Sequence, residues 1–371
     1  MASLGPRRKP ERTCRNVTKR PEFTLVFFMG AGDVSCERSD RERARVAETL
    51  VGHRYCARRG EVSAQAKSLM MFDTTPQLDC AGRPLLLDRA RIAGIVNVTP
   101  DSFSDGGRHA DAESAIAHGL RLIEEGADLL DIGGESTRPG AALVPLADEL
   151  QRVVPVIAGL AARSRVPLMV DTRKPEVMRA AVAAGAGFIN DVRALREPGA
   201  LDVVAELGVP VCLMHMQGEP RSMQQAPHYA DVIEDVHRFL TERLLSCELA
   251  GIARGRVLVD PGFGFGKTLE HNLVLLHALQ RFHGLGAGLL VGLSRKSMIG
   301  ALTGQREPAQ RVIGSVAATL LAAQRGARIL RVHDVAATRE ALAVWQAVED
   351  AVAPAGTPPP RSARARRDDE D

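Results

Sequence analysis

Gly94-Ile-Val-Asn-Val-Thr-Pro-Asp-Ser-Phe-Ser-Asp-Gly-Gly107 sets out a pattern that the rest of the chain repeats. The apolar run at 92–98 has the length of a fully buried strand. It stops at Thr99-Pro100, because proline lacks the amide that a ladder needs and disfavours helix in the residue before it. Polar groups crowd in where the run stops: Asn97 sits between two valines, and Asp101, Ser102, Ser104 and Asp105 follow. A buried strand that ends in a polar loop is how a parallel α/β protein presents reactive side chains at the carboxyl edge of its sheet.

The alternation continues downstream. Strand-like runs end near Asn97, Asp131, Asp171, Asn190, His215, Asp260, Ser294 and His333. Helix-length amphipathic segments lie between and after them, at 112–126, 146–162, 175–184, 200–207, 230–250, 269–282, 310–326 and 336–352. Eight strand–helix units predict an α/β fold of the (β/α)8 TIM-barrel type; an open doubly wound sheet is the alternative, which the count disfavours. Every one of these strands ends in a polar or ionisable side chain. An aspartate at the interior end of a strand buried on both faces is costly unless something pairs with it, and at a catalytic face that partner is a ligand.

Composition bounds the rest. A chain of 371 residues, 45% hydrophobic and 25% charged, has ample material for a soluble core. Its net charge of +3 is unevenly spread, because residues 1–69 hold 15 Lys and Arg against 8 Asp and Glu, while residues 70–353 hold 29 against 33. The folded part is therefore mildly acidic, which argues against nucleic acid as its partner. Cysteines at 14, 36, 56, 80, 212 and 247 show no C-x-x-C and no zinc spacing, so a reducing cytoplasm is the expected compartment. The apolar segment 23–30 is too short to cross a membrane, and no small-residue cleavage site follows it. Residues 1–69 lack a sustained period and read as a disordered extension, or as a stretch upstream of a true start at Met70 or Met71. Residues 354–371, with a Pro-Pro-Pro run and an arginine cluster, read as a frayed tail.

The loops carry the chemistry. In Asp131-Ile-Gly-Gly-Glu-Ser-Thr-Arg-Pro-Gly140 the glycines admit a close approach, and Thr137 and Arg138 suit phosphate or carboxylate; an ordinary turn with a solvated arginine explains them equally well. Asp171 and Asn190 pair an acceptor-only carboxylate with a donor–acceptor amide, a combination that suits a flat nitrogen heterocycle. Asp191 and Arg193 read as a structural ion pair, and Thr172 as a cap for the helix that Pro175 begins. His215, between Met214 and Met216, reads as pocket wall, and the two methionines as packing. Asp260-Pro-Gly-Phe-Gly-Phe-Gly-Lys267 is not a P-loop, since the first glycine of that motif falls at Pro261. It leaves Asp260 at a strand end, Phe265 to cover a ring, and Lys267 in solvent. Lys296 is a long cation with Ser297 beside it. Arg331 and His333 alternate, so they project to one side, next to Asn97 if the barrel closes. Such a group suits a polyphosphate with Mg²⁺.

Together, Asn97-Val-Thr-Pro-Asp-Ser-Phe-Ser-Asp105, Gly133-Gly-Glu-Ser-Thr-Arg-Pro-Gly140, Asp260-Pro-Gly-Phe-Gly-Phe-Gly-Lys267, Ser294-Arg-Lys-Ser297 and Arg331-Val-His-Asp334 resemble the motifs of dihydropteroate synthases, in order, over about residues 70–350. The resemblance implies a pterin-binding barrel in which 4-aminobenzoate displaces diphosphate from (7,8-dihydropterin-6-yl)methyl diphosphate, giving 7,8-dihydropteroate for folate synthesis. It also implies a cytoplasmic, usually homodimeric, sulfonamide-targeted transferase with no membrane or nucleic-acid partner. The roles it implies place the pterin on Asp171, Asn190, Asp260 and Lys296. They place the diphosphate on Asn97, Thr137, Arg331 and His333, with Asn97 at the Mg²⁺. Phe103, Arg138, Pro139, Phe265 and Ser297, joined by Thr137, would form a mobile 4-aminobenzoate site, and Asp101, Asp171 and Lys296 would act in catalysis. Arg173 stands where small residues are more usual in the family.

Physical chemistry fits that scheme. Departure of diphosphate leaves positive charge on the methylene and ring, which the Asp171 and Asp260 carboxylates would stabilise; the amine needs little beyond positioning in a dry pocket. An SN1-like step under loops 99–109 and 136–145 is the expectation. Two other readings compete. A pterin-binding barrel without catalysis would be expected to lose Asn97, the Thr137-Arg138 loop or Lys296, yet all are present. A corrinoid-linked methyltetrahydrofolate methyltransferase on the same barrel needs no Arg/His diphosphate site.

Overall fold

The structure is a computed structural model and describes residues 76–98, 107–136 and 140–351. The expected extension at 1–69, the tail at 354–371, and Asp101, Phe103, Thr137, Arg138 and Pro139 lie outside the described residues. An antiparallel hairpin comes first, β1 (Gln77–Asp79) with β2 (Pro84–Leu86). Its three-residue strands are too short to show alternation in the sequence. Eight parallel strands then close into a barrel: β3 (Arg91–Asn97), β4 (Leu129–Gly133), β5 (Leu168–Asp171), β6 (Phe188–Asp191), β7 (Val211–Met214), β8 (Val257–Asp260), β9 (Gly288–Val291) and β10 (Ile329–Val332). The expected (β/α)8 barrel is thus the observed one.

The helices around it are α1 (Gly107–Glu124), α2 (Leu146–Arg163), α3 (Pro175–Ala183), α4 (Ala200–Leu207), α5 (Val232–Leu249), α6 (Leu269–His277), α7 (Ser297–Thr303), α8 (Val312–Gln324) and α9 (Val335–Glu349). Their logic is that of a buried stripe: α2 turns Glu149, Val153, Val156, Ile157 and Leu160 inward, one helical face. Two expected helices differ. The 269–282 segment stops being α-helical at His277 and continues as a 3₁₀ turn, Leu279–Leu285, that ends on left-handed Gly286. A separate seven-residue helix, α7, precedes α8; it is too short to show a period.

The barrel interior is layered, and the layering positions the site. Ala93, Leu129, Met169, Phe188, Cys212, Leu258, Leu290 and Ile329, one from each strand, form an apolar floor that the hairpin covers with Leu78, Cys80, Leu85 and Leu87. Gly187 allows that cover, since a Cβ there would lie 2.2 Å from the Cys80 carbonyl oxygen. Successive inward side chains on a strand are two residues apart. The layer above the floor is therefore Ile95, Asp131, Asp171, Asn190, Met214, Asp260, Gly292 and Arg331. One step of the strand period turns an oily floor into a polar cup.

Candidate active site

Arg331 stands at the centre of the cup. Its guanidinium donates to a carboxylate oxygen of Asp131 and, at 2.9 Å, to Oδ2 of Asp171. The missing side chain at Gly292 leaves it room, with the Arg331 Cβ 3.7 Å from where a Cβ would stand. Two buried carboxyl groups share one cation, so ionisation of both would leave the trio one negative charge in excess. Burial pushes the Asp171 carboxyl up, and the Asp131 charge adds to it, so that it reaches about 8; burial raises Asp131 as well. Burial works against the charge on Arg331, but the two aspartates outweigh it and hold the guanidinium above its ordinary value. Asp131 is completely buried, and its Oδ1 has no hydrogen-bond partner among the described residues. A buried acceptor without a partner is costly unless a water or a ligand N–H reaches it. In the sequence alone Asp131 reads only as a strand end. Its position two residues beyond the floor residue Leu129 was the signal that it belongs to the site.

That excess charge has a measurable consequence. Between about pH 4 and about pH 8 the folded chain keeps a proton on Asp171 that an unfolded chain has released, so this group's contribution to stability falls as pH rises through that window. Asp131→Asn removes the neighbouring charge and is expected to flatten the fall. Thermal unfolding at both ends of the window checks it, and an equally steep fall in the variant would show that Asp131 is not the cause.

Across the cup, Asn190 pairs in register with Asp171, and Asp260 with Met214. Asp260 Oδ1 accepts the Gly262 N–H at 2.7 Å; burial pushes its carboxyl up while the Lys296 charge pulls it down. The Lys296 ammonium donates to the Phe263 carbonyl and lies 4.7 Å from the centre of the Phe265 ring. Burial pushes Lys296 down to about 8, with Asp260 opposing and Arg331 adding to the fall. Arg295, between Ser294 and Lys296, has a left-handed backbone (φ +59°). It is held by both carboxylate oxygens of Asp334 at 3.0 and 2.5 Å, by its N–H on Ser315 at 2.8 Å, and by its carbonyl under Arg311 at 2.9 Å. A residue so over-determined fixes its neighbours. One neighbour, Ser294, meets both the backbone N–H of His333 (3.2 Å) and its ring Nδ1 (3.0 Å). β10 pairs with β3, which brings Arg331 and His333 beside the strand that Asn97 ends. Ser297 is exposed at the first turn of α7, and Phe265 is half-buried above the cup.

A family model described as "Pterin binding enzyme" matches residues 93–333. Dihydropteroate synthase of Escherichia coli K12 is 53% identical over 271 residues, 73% of this chain and 96% of that protein. The chain belongs to the dihydropteroate synthase family. Among solved structures, the Xanthomonas albilineans synthase with 4-aminobenzoic acid is 66% identical, with a TM-score of 0.72, over 75% of this chain and all of that one. The same organism's synthase in complex with 7,8-dihydropteroate is 64% identical, with a TM-score of 0.69 and the same coverage.

Other polar residues of this chain turn out to be braces, and three expectations are corrected. Lys267 is not in solvent: it is 3% exposed and donates to the carbonyls of Gly262 (2.9 Å) and Phe265 (3.1 Å), meeting His215 Nδ1 at 2.9 Å. Burial pushes its ammonium well down, and burial with the Lys267 charge pushes His215 to about 2. His215 is thus a neutral wall residue, edge-on to Phe239 at 4.9 Å. Asp191 makes no side-chain pair with Arg193. Its oxygens accept the backbone N–H groups of Arg193 (2.7 Å) and Leu195 (2.8 Å), because Ala194 and Leu195 take left-handed conformations that fold the turn back onto it. Thr172 is not the cap of α3, whose N-cap is Lys174; it accepts the Lys174 N–H at 3.2 Å and donates to Glu149 at 2.5 Å. The glycines that resemble a nucleotide loop serve packing. A Cβ on Gly262 would lie 1.8 Å from the His215 carbonyl oxygen, and one on Gly266 2.3 Å from that of Gln217. Met214 and Met216 pack with Val192, Met223 and Phe265.

Proposed function

We propose that this chain joins 4-aminobenzoate to (7,8-dihydropterin-6-yl)methyl diphosphate, forming 7,8-dihydropteroate and releasing diphosphate. The observation that carries the reading is the trio Asp131, Asp171 and Arg331 at the base of the cup, with an open buried acceptor where a pterin offers ring and amino N–H donors. Relatives of this chain hold 4-aminobenzoic acid and 7,8-dihydropteroate, one substrate and the product of that reaction. Asp171, Asn190, Asp260 and Lys296 hold the pterin. Asn97, Thr137, Arg331 and His333 face the diphosphate, and Phe103, Arg138, Pro139, Phe265 and Ser297 receive the aminobenzoate.

The C–O bond from the methylene to the diphosphate breaks first, its electron pair leaving with the oxygen. Positive charge spreads into the pterin ring, where Asp260 and, once the bound pterin and its growing charge draw off its proton, Asp171 stabilise it as carboxylates. The aniline nitrogen then forms the C–N bond and loses its proton, with Asp101, Asp171 and Lys296 as the groups at the reacting centre. Mg²⁺ would be held by the Asn97 amide oxygen at the end of β3 together with the substrate's own phosphates, as suits an ion that prefers oxygen ligands. When bound, the ion neutralises charge on the leaving diphosphate.

The protein works as a homodimer in the cytoplasm. Ile313 and Leu321 on α8, with Val344 and Val348 on α9, leave an apolar face 41–86% exposed that suits a second copy; a sedimenting mass of one chain would end that part. Cys80, Cys212 and Cys247 are free, in keeping with a reducing compartment. Among the described residues no helix is long and apolar enough to cross a membrane.

The deciding assay follows diphosphate and dihydropteroate together. Both substrates with Mg²⁺ should give the two products in equal amounts, and chelating the metal should slow release by about tenfold or more. A single turnover without 4-aminobenzoate should still release diphosphate. No release there would count against ionisation before attack, and no release under any condition would leave a pterin-binding barrel without catalysis.

A further inference from the structure

We propose that Lys267 is a positioning residue for the reaction, holding the loop after β8 in the shape on which Asp260 and Lys296 depend. The proposal rests on the reaction given above. In Asp260-Pro-Gly-Phe-Gly-Phe-Gly-Lys267 the glycines at 262, 264 and 266 are left-handed, with φ of +71°, +79° and +62°. Backbone of that kind does not enter a sheet ladder, so its carbonyls need donors from elsewhere. All five carbonyls from Gly262 to Gly266 have a side chain on them. Lys267 Nζ donates to those of Gly262 (2.9 Å) and Phe265 (3.1 Å), and the Lys296 ammonium to that of Phe263. The Gln224 amide donates to Gly264 at 2.6 Å, and the Tyr229 hydroxyl to Gly266 at 2.8 Å.

Among these four donors Lys267 has a distinct place. It alone is buried, and it alone takes two carbonyls, three residues apart. It therefore sets the curvature of the loop, where the others each fix a single point. Its nitrogen is fixed in turn by His215, whose Nδ1 lies 2.9 Å away and whose ring is wedged against Phe239 and Tyr229. Burial pushes the Lys267 charge down, yet with two protons or three the nitrogen has an N–H for each carbonyl, so the hold survives either state.

Both ends of that hold lead to the site. Gly262, gripped by its carbonyl, donates its own N–H to Asp260 Oδ1 at 2.7 Å. Phe265, gripped likewise, sets its ring 4.7 Å from the Lys296 ammonium, and Lys296 is seated on the carbonyl of Phe263 between them. Gly264 completes the seat, since a Cβ there would stand 3.3 Å from the Lys296 Cδ, and its N–H is tied to Asn272 Oδ1 at 2.7 Å. One buried side chain thus acts on two groups of the reacting centre without facing the cup itself.

Lys267→Met keeps the length of the side chain and removes its donors. The value of kcat should fall about tenfold while the KM for the pterin diphosphate stays within about threefold, because Asp131, Asp171 and Asn190 stand on strands that Lys267 does not touch. In a Lys296→Met background the same substitution should cost less than about threefold, since one of the groups it positions is already gone. If Lys267→Met does not fold, Tyr229→Phe takes one donor from the same loop and should lower kcat about threefold with KM unmoved. An unchanged kcat in the folded variant, an equal factor in the two backgrounds, or a lower unfolding temperature with kcat unmoved would overturn the proposal. Failure of the wild-type chain to form dihydropteroate would instead overturn the reaction on which it rests.

Discussion

Arg331→Met is expected to destabilise the protein by about 3–5 kcal/mol, because the change strands the Asp131 carboxylate, and above about pH 8 the Asp171 carboxylate with it, in the barrel interior. Asp131 is fully buried and Asp171 nearly so, and the guanidinium is the cation that bonds both. Methionine fills much of the same volume, so packing alone predicts a far smaller loss. The triple variant Asp131→Asn, Asp171→Asn, Arg331→Met separates the two causes. With no charge left to strand it should regain most of the stability, yet it should form no dihydropteroate, since the acceptors for the pterin and the cation facing the diphosphate are gone together. Urea unfolding of both variants measures this. A loss below about 1 kcal/mol in Arg331→Met would mean that the trio is not the electrostatic centre of the cup.

Lys296→Met is expected to do the reverse, lowering kcat by about 10²–10³ while leaving the fold intact. Burial has already pushed the Lys296 ammonium down to about 8, which says that the folded chain holds this charge against its surroundings. Removing it relieves that tension, so stability to heat should be unchanged or higher. On the proposed reaction activity suffers because the cation, 4.7 Å from the centre of the Phe265 ring and acting through its charge on Asp260, is lost from the end of the cup where the pterin would sit. For the same reason wild-type turnover should decline as pH rises through about 8 and the ammonium loses its proton. A Lys296→Met enzyme within about threefold of the wild-type kcat would remove Lys296 from the mechanism.

Much of this was legible in the chain because the barrel obeys a period of two. Strand ends at Asn97, Asp171 and Asp260 were expected and observed, and the same arithmetic that carries Met169 to Asp171 carries Leu129 to Asp131. What could not be read was which polar residue finds which. The partners of Arg331 lie 200 and 160 positions away, and only closure of the barrel brings them across the lumen. Lys267 misled for a related reason. A lysine after a glycine-rich loop looks solvated in one dimension, whereas three acceptors from the loops after β7 and β8 close around it in three.

The hairpin under the barrel has one more effect. With Leu78, Cys80, Leu85 and Leu87 pressed against the floor residues, the lumen is a blind well with a single mouth. Whatever occupies its depth must go in before whatever sits at the brim, and a joined product has to back out the way its parts came. On the proposed reaction, a stopper at one end of the lumen makes sequential loading through the other the expected kinetic pattern.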